Sequence, residues 1–266
     1  MVQEHNKQAA GLWDKGGSEY DFVSFGIADA LAHTAQALWP KPNEKILDIA
    51  TGTGWTARNV AYYGAKVTGV DIADELLAAA KTLSAHVTPE IEFTHGDAEA
   101  LPFNDGEFDA VISTFGIMFA GNHDASAAEL ARVCKKGGRI ALAAWEPGED
   151  SFVAQMFGVV AKHSGAPKPP KPPTNWGVPD YVSSLLSQSF DLKFSNEDST
   201  IFAPDGEQLW NKFYEGFGPV RLLAERLNPD ELTKFRNDFI GLHEEYRNER
   251  GLKIDRKYLL ITGTRK

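Results

Sequence analysis

One loop constrains the fold of this chain more than any other feature. The apolar run 45–50 leads into the turn Thr51-Gly-Thr-Gly54, and after a helix-like segment a second apolar run, 66–71, ends in Asp71. Glycines in such a turn let the backbone adopt left-handed conformations and let a ligand approach the main chain. A strand, a glycine turn, a helix and a second strand form a parallel pair, because the connection is too long for a hairpin.

The alternation of strands and helices continues beyond this unit. Further strands are predicted at 91–94, 108–113, 139–145, 190–194 and 258–264, with helices between most of them. Short connections of this kind are typical of a doubly wound α/β fold. We therefore predict a mostly parallel, seven-stranded sheet with helices on both faces. A ligand site is expected at the carboxyl ends of its strands, and a helical insertion is expected before the last strand.

Composition and charge narrow the class of protein. Hydrophobic residues make up 42% of the chain and charged residues 24%, which is usual for a globular protein. A formal net charge of -10 argues against a nucleic-acid substrate and for a small or uncharged partner, since binding to phosphates needs a basic face. The single cysteine, Cys134, excludes an internal disulfide and indicates a reducing compartment. We expect a cytoplasmic protein with no signal peptide, no membrane span and no metal site.

Asp48, in the first predicted strand, distinguishes between two kinds of nucleotide cofactor. The glycine pattern alone also matches a dinucleotide-binding site. In a nicotinamide enzyme the pyrophosphate rests at the helix N-terminus, where a nearby carboxylate would repel it. S-adenosylmethionine instead carries an ammonium and a sulfonium group, so a carboxylate beside the loop suits it. Asp48 therefore favours S-adenosylmethionine, and the alternative is that its side chain caps its own loop.

Two further acidic residues follow the second and third predicted strands. Asp71 is placed to accept hydrogen bonds from both ribose hydroxyls, with Ile72 packed on the purine, and a simple helix cap is the alternative. Asp97 is placed to accept the adenine amino group, and Ala98 is small enough to admit the ring. Both carboxylates would then lie at the edge of the sheet where parallel folds bind ligands.

Five segments, in order, resemble the successive motifs of the class I S-adenosylmethionine-dependent methyltransferases. These segments are 47–54, 70–71, 96–103, 108–116 and 136–139. The resemblance covers about residues 40–145 and is nearest to the branch that includes the ubiquinone and menaquinone biosynthesis methyltransferases. It implies the methyltransferase fold, S-adenosylmethionine as cofactor, and contacts to it from Thr53, Asp71, Asp97, Ala98 and Thr114. Ala50, Gly52 and Gly54 are expected to contact the cofactor from the glycine loop.

Methyl transfer from a sulfonium is an in-line displacement, which positioning and exclusion of water accelerate without any obligatory catalytic side chain. A base is needed only for a weakly acidic acceptor. The candidates are His123, in the loop after the fourth strand, and Tyr20, near the N-terminus. The competing interpretation of His123 is a surface residue at a helix start. Phe115, Met118 and Phe119 are expected to line the acceptor pocket or, alternatively, to belong to the core.

We expect a single domain, residues 1–266, with three specialised parts. Residues 40–145 form the cofactor-binding core, residues 18–39 a helix that covers it, and residues 205–250 a lid over the acceptor. The lid is inferred because this stretch interrupts the last strand pair and carries Trp210, Phe213, Tyr214 and Phe217. The proline-rich run 167–173 predicts extended backbone that acts as a stiff connector.

Methyl transfer to a small molecule is the function that these observations favour. Two other classes stay open at this point: an NAD(P)-dependent oxidoreductase, and a non-catalytic sensor that binds S-adenosylmethionine. The oxidoreductase is kept because of the dinucleotide-like glycine pattern. Tight cofactor binding without turnover of a broad panel of acceptors would favour the sensor.

Overall fold

The computed structural model describes residues 2–165 and 169–266, and its centre is one sheet. Within these residues the strands are β1 (Lys45–Ile49), β2 (Lys66–Asp71), β3 (Glu92–His95), β4 (Phe108–Thr114), β5 (Cys134–Trp145), β6 (Phe190–Ala203), β7 (Arg247–Asn248) and β8 (Gly251–Arg265). The spatial order is β3-β2-β1-β4-β5-β8-β6, and the two-residue β7 pairs with β8. β1 to β5 are parallel, whereas β8 and β6 are antiparallel additions. The mostly parallel, doubly wound sheet is confirmed, with β7 as an eighth, very short strand.

The sheet is covered on both faces because its central strands carry mostly apolar residues on both sides. In β1, Ile46 packs in one cluster with α3 (Ala28–Leu38) and α4 (Trp55–Ala61), whereas its neighbour Leu47 packs in the cluster on the opposite face. Both side chains are fully buried. Burial on both faces is usual for parallel strands with helical crossovers. The carboxyl ends of β1 to β4 are thereby aligned at one edge of the sheet.

The predicted N-terminal helix over 18–39 is wrong in its extent. The chain forms α1 (Lys7–Asp14), a short 3-10 turn, α2 (Tyr20–Phe25) and α3, with a break at Gly26. Ser18 does not cap a helix, because its hydroxyl bonds only to the Glu19 carboxylate, at 3.4 Å. A side chain at Gly26 would lie 3.2 Å from Ile201 on β6, so the break occurs where the segment crosses that strand.

The C-terminal half differs from the prediction in the length of its strands. β6 has 14 residues and β8 has 15, whereas only 190–194 and 258–264 are predicted. The outer part of β6 alternates between exposed and partly buried positions, so it lacks the continuous apolar run of a central strand. Helices α5 (Asp74–Ser84) and α6 (His123–Val133) follow β2 and β4, and α7 (Phe152–Ser164) and α8 (Pro179–Leu186) connect β5 to β6. Pro167 and Lys168, which begin the proline-rich run, lie outside the described residues.

The helical insertion consists of α9 (Gly206–Gly216), α10 (Gly218–Arg226) and α11 (Pro229–Glu244). It has an aromatic core of its own: the Trp210 ring packs edge-on against Phe235, at 5.2 Å, and against Phe239, at 5.5 Å. None of the helices in the described part of the chain is both long and apolar enough to cross a membrane.

Candidate functional site

The loop after β1 adopts the conformation that its glycines predict. Ala50, Gly52 and Gly54 have φ values of 56°, 55° and 84°, in the left-handed region. A Cβ at Gly54 would lie 3.1 Å from the ring of Phe93, and a non-glycine residue at such a φ costs roughly 1 kcal/mol or more. Ala50 adopts this conformation although it has a side chain. The loop is therefore a strained segment held in place by its surroundings.

Asp71, at the end of β2, fixes this loop from the neighbouring strand. One carboxylate oxygen accepts a hydrogen bond from the Gly52 amide at 2.8 Å, and the other accepts one from the Ala73 amide at 3.0 Å. Burial raises the pKa of the Asp71 carboxyl, and these backbone hydrogen bonds oppose the rise. Each oxygen keeps acceptor capacity for a further donor. Asp71 thus joins two loops and presents a buried carboxylate at the edge of the sheet.

A cavity of about 110 Å³, here called the glycine-loop cavity, opens beside these loops. The sheet edge contributes Ala50, Thr51, Gly52, Asp71, Ile72, Asp97, Ala98, Thr114 and Phe115 to its lining. The N-terminal segment contributes Asn6, Ala9, Trp13, Tyr20, Ser24, Ile27 and Leu31. Seven of the expected cofactor contacts therefore line one cavity: Ala50, Gly52, Asp71, Ile72, Asp97, Ala98 and Thr114.

The remaining expected contacts, Asp48, Thr53 and Gly54, do not line this cavity. Asp48 lies beneath the loop, where its carboxylate accepts a hydrogen bond from the Thr51 hydroxyl at 2.6 Å. Burial raises the pKa of Asp48 to about 7. The hydroxyl of Thr53 donates to Asp21 of α2 at 2.9 Å. In this structure both side chains support the loop. Asp48 therefore has the alternative role expected for it, that of a loop cap.

Asp97 lines the cavity with its acceptor capacity already used. Its oxygens accept hydrogen bonds from the Gln3 amide (2.9 Å), the Asn6 side-chain amide (3.0 and 3.2 Å) and the Glu99 amide (2.9 Å). A carboxylate offers about four lone-pair sites, so an adenine amino group would have to replace one of these donors. The N-terminal segment therefore occupies the position at which the sequence predicts an adenine contact.

A second cavity, of about 230 Å³ and here called the aromatic cavity, lies on the side of the C-terminal half. Its wall is mostly aromatic, and it includes Phe22, Phe25, Trp145, Phe152, Phe157, Phe202, Phe213 and Phe217. The charged or titratable residues that reach it are Tyr20, Lys212, His243 and Arg256. Among all the lining residues, the helical insertion supplies Lys212, Phe213 and His243, β6 supplies Phe202, and β8 supplies Arg256.

The two cavities share a wall. Trp13, Tyr20, Ile27, Phe115 and Phe119 line both of them. The Phe115 ring stacks on Trp145 at 3.7 Å with an interplanar angle of 3°, although its own φ of 56° is left-handed. Two of the three residues expected to line an acceptor pocket, Phe115 and Phe119, thus lie between the cavities. The third, Met118, is fully buried and lines neither, so its alternative as a core residue describes it.

The two candidate bases differ in position. His123 is buried, not a surface residue: its ring bonds to the Tyr181 hydroxyl at 2.8 Å and lies edge-on to Trp176. Burial and Lys171 lower its pKa, and it lines neither cavity. Tyr20 lines both cavities, and burial together with the charge of Asp71 raises the pKa of its phenol. His123 is therefore not placed to act on a ligand, whereas a neutral Tyr20 is.

Sequence reasoning missed Arg256 and His243. Arg256 lies on β8, where Ile254, Arg256 and Tyr258 are all buried on one face. Strand alternation would have placed Arg256 inward, but the last strand is predicted to begin only at residue 258. His243 lies in α11, and its position in the sequence gives no signal that its ring reaches a cavity.

The residue types that line the glycine-loop cavity suit S-adenosylmethionine, the cofactor that the sequence predicts. The cofactor is a nucleoside with cationic groups, and the cavity presents buried carboxylates from Asp71 and Asp97 beside a glycine backbone. Asp71 has lone pairs for ribose hydroxyls, and Gly52, which has no side chain, lies in the cavity lining. The residues that would hold the cofactor are therefore Ala50, Gly52, Asp71, Ile72 and Thr114.

Comparison with known proteins agrees with this fit. Residues 47–142 match the sequence profile of a methyltransferase domain. An uncharacterized protein of Mycobacterium tuberculosis is 40% identical over 148 residues, which is 54% of this chain and 52%, about half, of the relative. A demethylmenaquinone methyltransferase of Corynebacterium glutamicum is 31% identical over 206 residues, which is 76% of this chain and 78% of the relative.

A solved structure shares the fold. A protein described as a putative methyltransferase of Bacillus halodurans superposes with a TM-score of 0.62 at 21% identity, over 88% of this chain and 97% of that one. The domain match includes the glycine loop, and the corynebacterial relative extends the similarity well beyond it. The chain therefore belongs to the class I S-adenosylmethionine-dependent methyltransferases.

Proposed function

We propose that this protein transfers a methyl group from S-adenosylmethionine in the glycine-loop cavity to a small molecule in the aromatic cavity. The observation that carries the proposal is the wall that the two cavities share. Trp13, Tyr20, Ile27, Phe115 and Phe119 line both, so a ligand in one cavity lies next to a ligand in the other. Methyl transfer needs this adjacency, because the accepting atom must approach the methyl carbon directly.

The surroundings of the shared wall favour the reaction. When bound, S-adenosylmethionine supplies an electrophilic methyl group. The side chains of Phe115, Phe119 and Trp145 exclude water from the region between the cavities, and confinement of two reactants there replaces a bimolecular encounter. Tyr20 can donate a hydrogen bond to either ligand. Asp71 and the glycine loop hold the nucleoside end of the cofactor.

The acceptor is proposed to be a small molecule because the aromatic cavity is lined mostly by aromatic side chains and the chain's net charge of -10 disfavours nucleic acid. The name of the corynebacterial relative, a demethylmenaquinone methyltransferase, supports an organic molecule as acceptor. Family membership removes the nicotinamide oxidoreductase from consideration.

The insertion is proposed to act as the acceptor lid. Its residues Leu209, Lys212, Phe213, Phe217 and His243 line the aromatic cavity, and none of them lines the glycine-loop cavity. Trp210 lines neither cavity and is buried, so it belongs to the core of the insertion. The lid therefore has a ligand-facing layer over an aromatic layer that stabilises it.

The test is the formation of S-adenosylhomocysteine with a panel of small aromatic acceptors, followed by chromatography. Product should form only when an acceptor is present. Phe119→Ala should lower turnover about tenfold or more, because it opens the shared wall to water. Tyr62→Ala, at a side chain that is 87% exposed and lines neither cavity, is the matched control and should leave turnover unchanged. Tight cofactor binding with no product from any acceptor would instead identify a sensor.

A further inference from the structure

The aromatic cavity is cationic, although the chain is acidic. No Asp or Glu is among the described residues that line it, whereas Lys212 and Arg256 are. The glycine-loop cavity has the opposite character, with Asp71 and Asp97 in its lining and no Lys or Arg among its described lining residues. In a chain with a net charge of -10, this separation distinguishes two ligands of different charge.

Arg256 is the deeper of the two cations, and its guanidinium is only partly satisfied. It is 6% exposed, its Nε donates to the Ser199 carbonyl at 3.3 Å, and one Nη donates to the Ser199 hydroxyl at 3.0 Å and to the Gly26 carbonyl. The other Nη makes no hydrogen bond to any residue that the structure describes. Arg256 itself lines the aromatic cavity.

No carboxylate neutralises Arg256 within the described residues. The nearest acidic influence is Asp29, but its oxygens accept from the Ser199 hydroxyl at 2.8 Å and from the Thr200 amide at 3.1 Å and form no ion pair with Arg256. Burial lowers the pKa of Arg256 to about 10, so the group is still a cation at neutral pH. Burial of a guanidinium with no carboxylate in contact is costly, and an anion supplied by a ligand would reduce that cost.

His243 does not add a second charge at this depth. Its Nδ1 lies 2.7 Å from the Phe239 carbonyl, and a carbonyl can only accept, so Nδ1 carries the proton. Burial and the charge of Arg256 lower the pKa of His243 to about 4, which leaves the ring neutral. The Nε2 of this neutral ring then carries a lone pair. The His243 side chain lines the aromatic cavity. Arg256 is therefore the single deeply buried cation of the described lining.

The wall of the cavity beside Arg256 is aromatic. Its guanidinium lies 5.5 Å from the centre of the Trp145 ring, and Trp145 stacks on Phe115 of the shared wall. Aromatic side chains bind flat rings through offset and edge-on contacts. A ligand ring whose anionic group pairs with Arg256 would therefore lie among the aromatic side chains of this wall, near the glycine-loop cavity.

We propose that the acceptor is a flat aromatic molecule with one anionic oxygen group, a carboxylate or a phenolate, which pairs with Arg256. The proposal rests on the proposed function, in which the aromatic cavity holds the acceptor. It makes Arg256 the residue that determines acceptor specificity. The chain's net negative charge, which favours a small or uncharged partner, is locally reversed in this cavity.

The test compares probes of the same shape that differ in charge, by calorimetry in saturating S-adenosylhomocysteine at neutral pH. 2-Naphthoate is compared with 2-naphthamide, and 2,4-dinitrophenolate with 1,3-dinitrobenzene. The anion of at least one pair should bind about tenfold or more tightly, since hydrogen bonds to a charged group are the strong ones. The pair with the larger preference identifies the oxyanion. Equal binding within both pairs, or binding of no probe, would overturn the proposal.

Variants assign the preference to Arg256. Arg256→Gln should remove it, and Arg256→Lys, which keeps a cation, should retain part of it. Arg250→Gln is the control, because that side chain is 88% exposed and pairs only with Glu249. If thermal melts show that Arg256→Gln does not fold, the role of Arg256 is judged from the probe affinities of the wild type and of Arg256→Lys. A preference retained in a folded Arg256→Gln protein would assign the anion to another group and refute the role of Arg256.

The two proposals fail in distinguishable ways. An anion preference without formation of S-adenosylhomocysteine from any acceptor would refute methyl transfer and leave the anion site. Turnover of a neutral acceptor by a protein with no anion preference would refute the anion site and leave methyl transfer.

Discussion

The two halves of this protein line their cavities with different kinds of groups. In the parallel half, residues 45–145, loops that follow neighbouring strands bring main-chain atoms and small side chains such as Ala50 and Gly52 to one edge. In the C-terminal half, long side chains such as Phe213 and Arg256 reach a common space from segments far apart in the sequence. A site made from loops is encoded locally, whereas a site made from side chains depends on tertiary packing.

The halves also differ in what they do with charge. The parallel half buries carboxylates whose pKa values are raised by burial, Asp48 and Asp71 among them. The C-terminal half buries a guanidinium and a neutral imidazole, and burial lowers the pKa values of both. Each half therefore holds groups whose ionised form is destabilised by burial. Three experiments can break or sharpen this comparison.

The largest expected effect concerns Asp48. Burial raises its pKa from 3.8 to about 7, so the folded protein binds this proton more tightly than the unfolded chain. Its contribution to stability is therefore full below about pH 4 and is lost as the pH rises to about 7, by up to about 4 kcal/mol, since one pKa unit corresponds to 1.36 kcal/mol. Asp48→Asn should remove this loss, as measured by urea unfolding of the ligand-free protein from pH 4 to 8.

The control for Asp48 is Asp191→Asn, at a side chain that is 78% exposed. It should leave the pH profile of stability unchanged. Parallel profiles for the wild type and Asp48→Asn would mean that burial does not raise the pKa of the Asp48 carboxyl.

The next effect concerns Asp71 and cofactor affinity. A hydrogen bond to a charged group contributes roughly 1.5–3 kcal/mol, so Asp71→Ala should weaken S-adenosylhomocysteine binding by about 3 kcal/mol, or more than a hundredfold. Asp71→Asn should lose less, because it keeps an acceptor for the Gly52 amide. Calorimetry with the cofactor product, together with thermal melts, measures both quantities. A less stable Asp71→Ala protein with undiminished affinity would show that Asp71 only caps its helix.

The smallest expected effect concerns Phe213, whose side chain lines the aromatic cavity. Phe213→Ala removes part of one wall and should weaken an aromatic ligand by about 1–2 kcal/mol, with cofactor affinity unchanged. Trp210→Ala is the matched variant from the same helix. It should lower the melting temperature and preserve ligand affinity, because Trp210 packs on Phe235 and Phe239 instead. Equal losses of both ligands in Phe213→Ala would mean that the halves are not separate sites.

The same division explains what the sequence could predict. The sheet, the glycine loop and the cavity positions of Asp71, Asp97 and Thr114 follow from local patterns, because a strand end fixes where the next side chains lie. Asp48 could not be placed from spacing alone, since its position on a strand allows it to face either the ligand or the loop. The hydroxyl of Thr51 decides this, through a hydrogen bond at 2.6 Å.

The errors of prediction arise from contacts between distant segments. The break at Gly26 occurs where α2 and α3 cross β6, and nothing near it in the sequence indicates that crossing. His123 has a polar neighbourhood in the sequence but is covered by Tyr181 and Trp176. Arg256 precedes the predicted last strand, 258–264, and its inward position follows only from the full length of β8. In each case the deciding neighbour lies 50 or more residues away, well beyond any local pattern.

The N-terminal segment has a consequence for rates. Asn6, Trp13 and Tyr20 form one wall of the glycine-loop cavity, and Gln3 and Asn6 attach that wall to Asp97 by hydrogen bonds. A ligand group that binds Asp97 must replace one of these hydrogen bonds, so we expect the rate at which the cofactor product leaves to depend in part on this segment, which carries no motif.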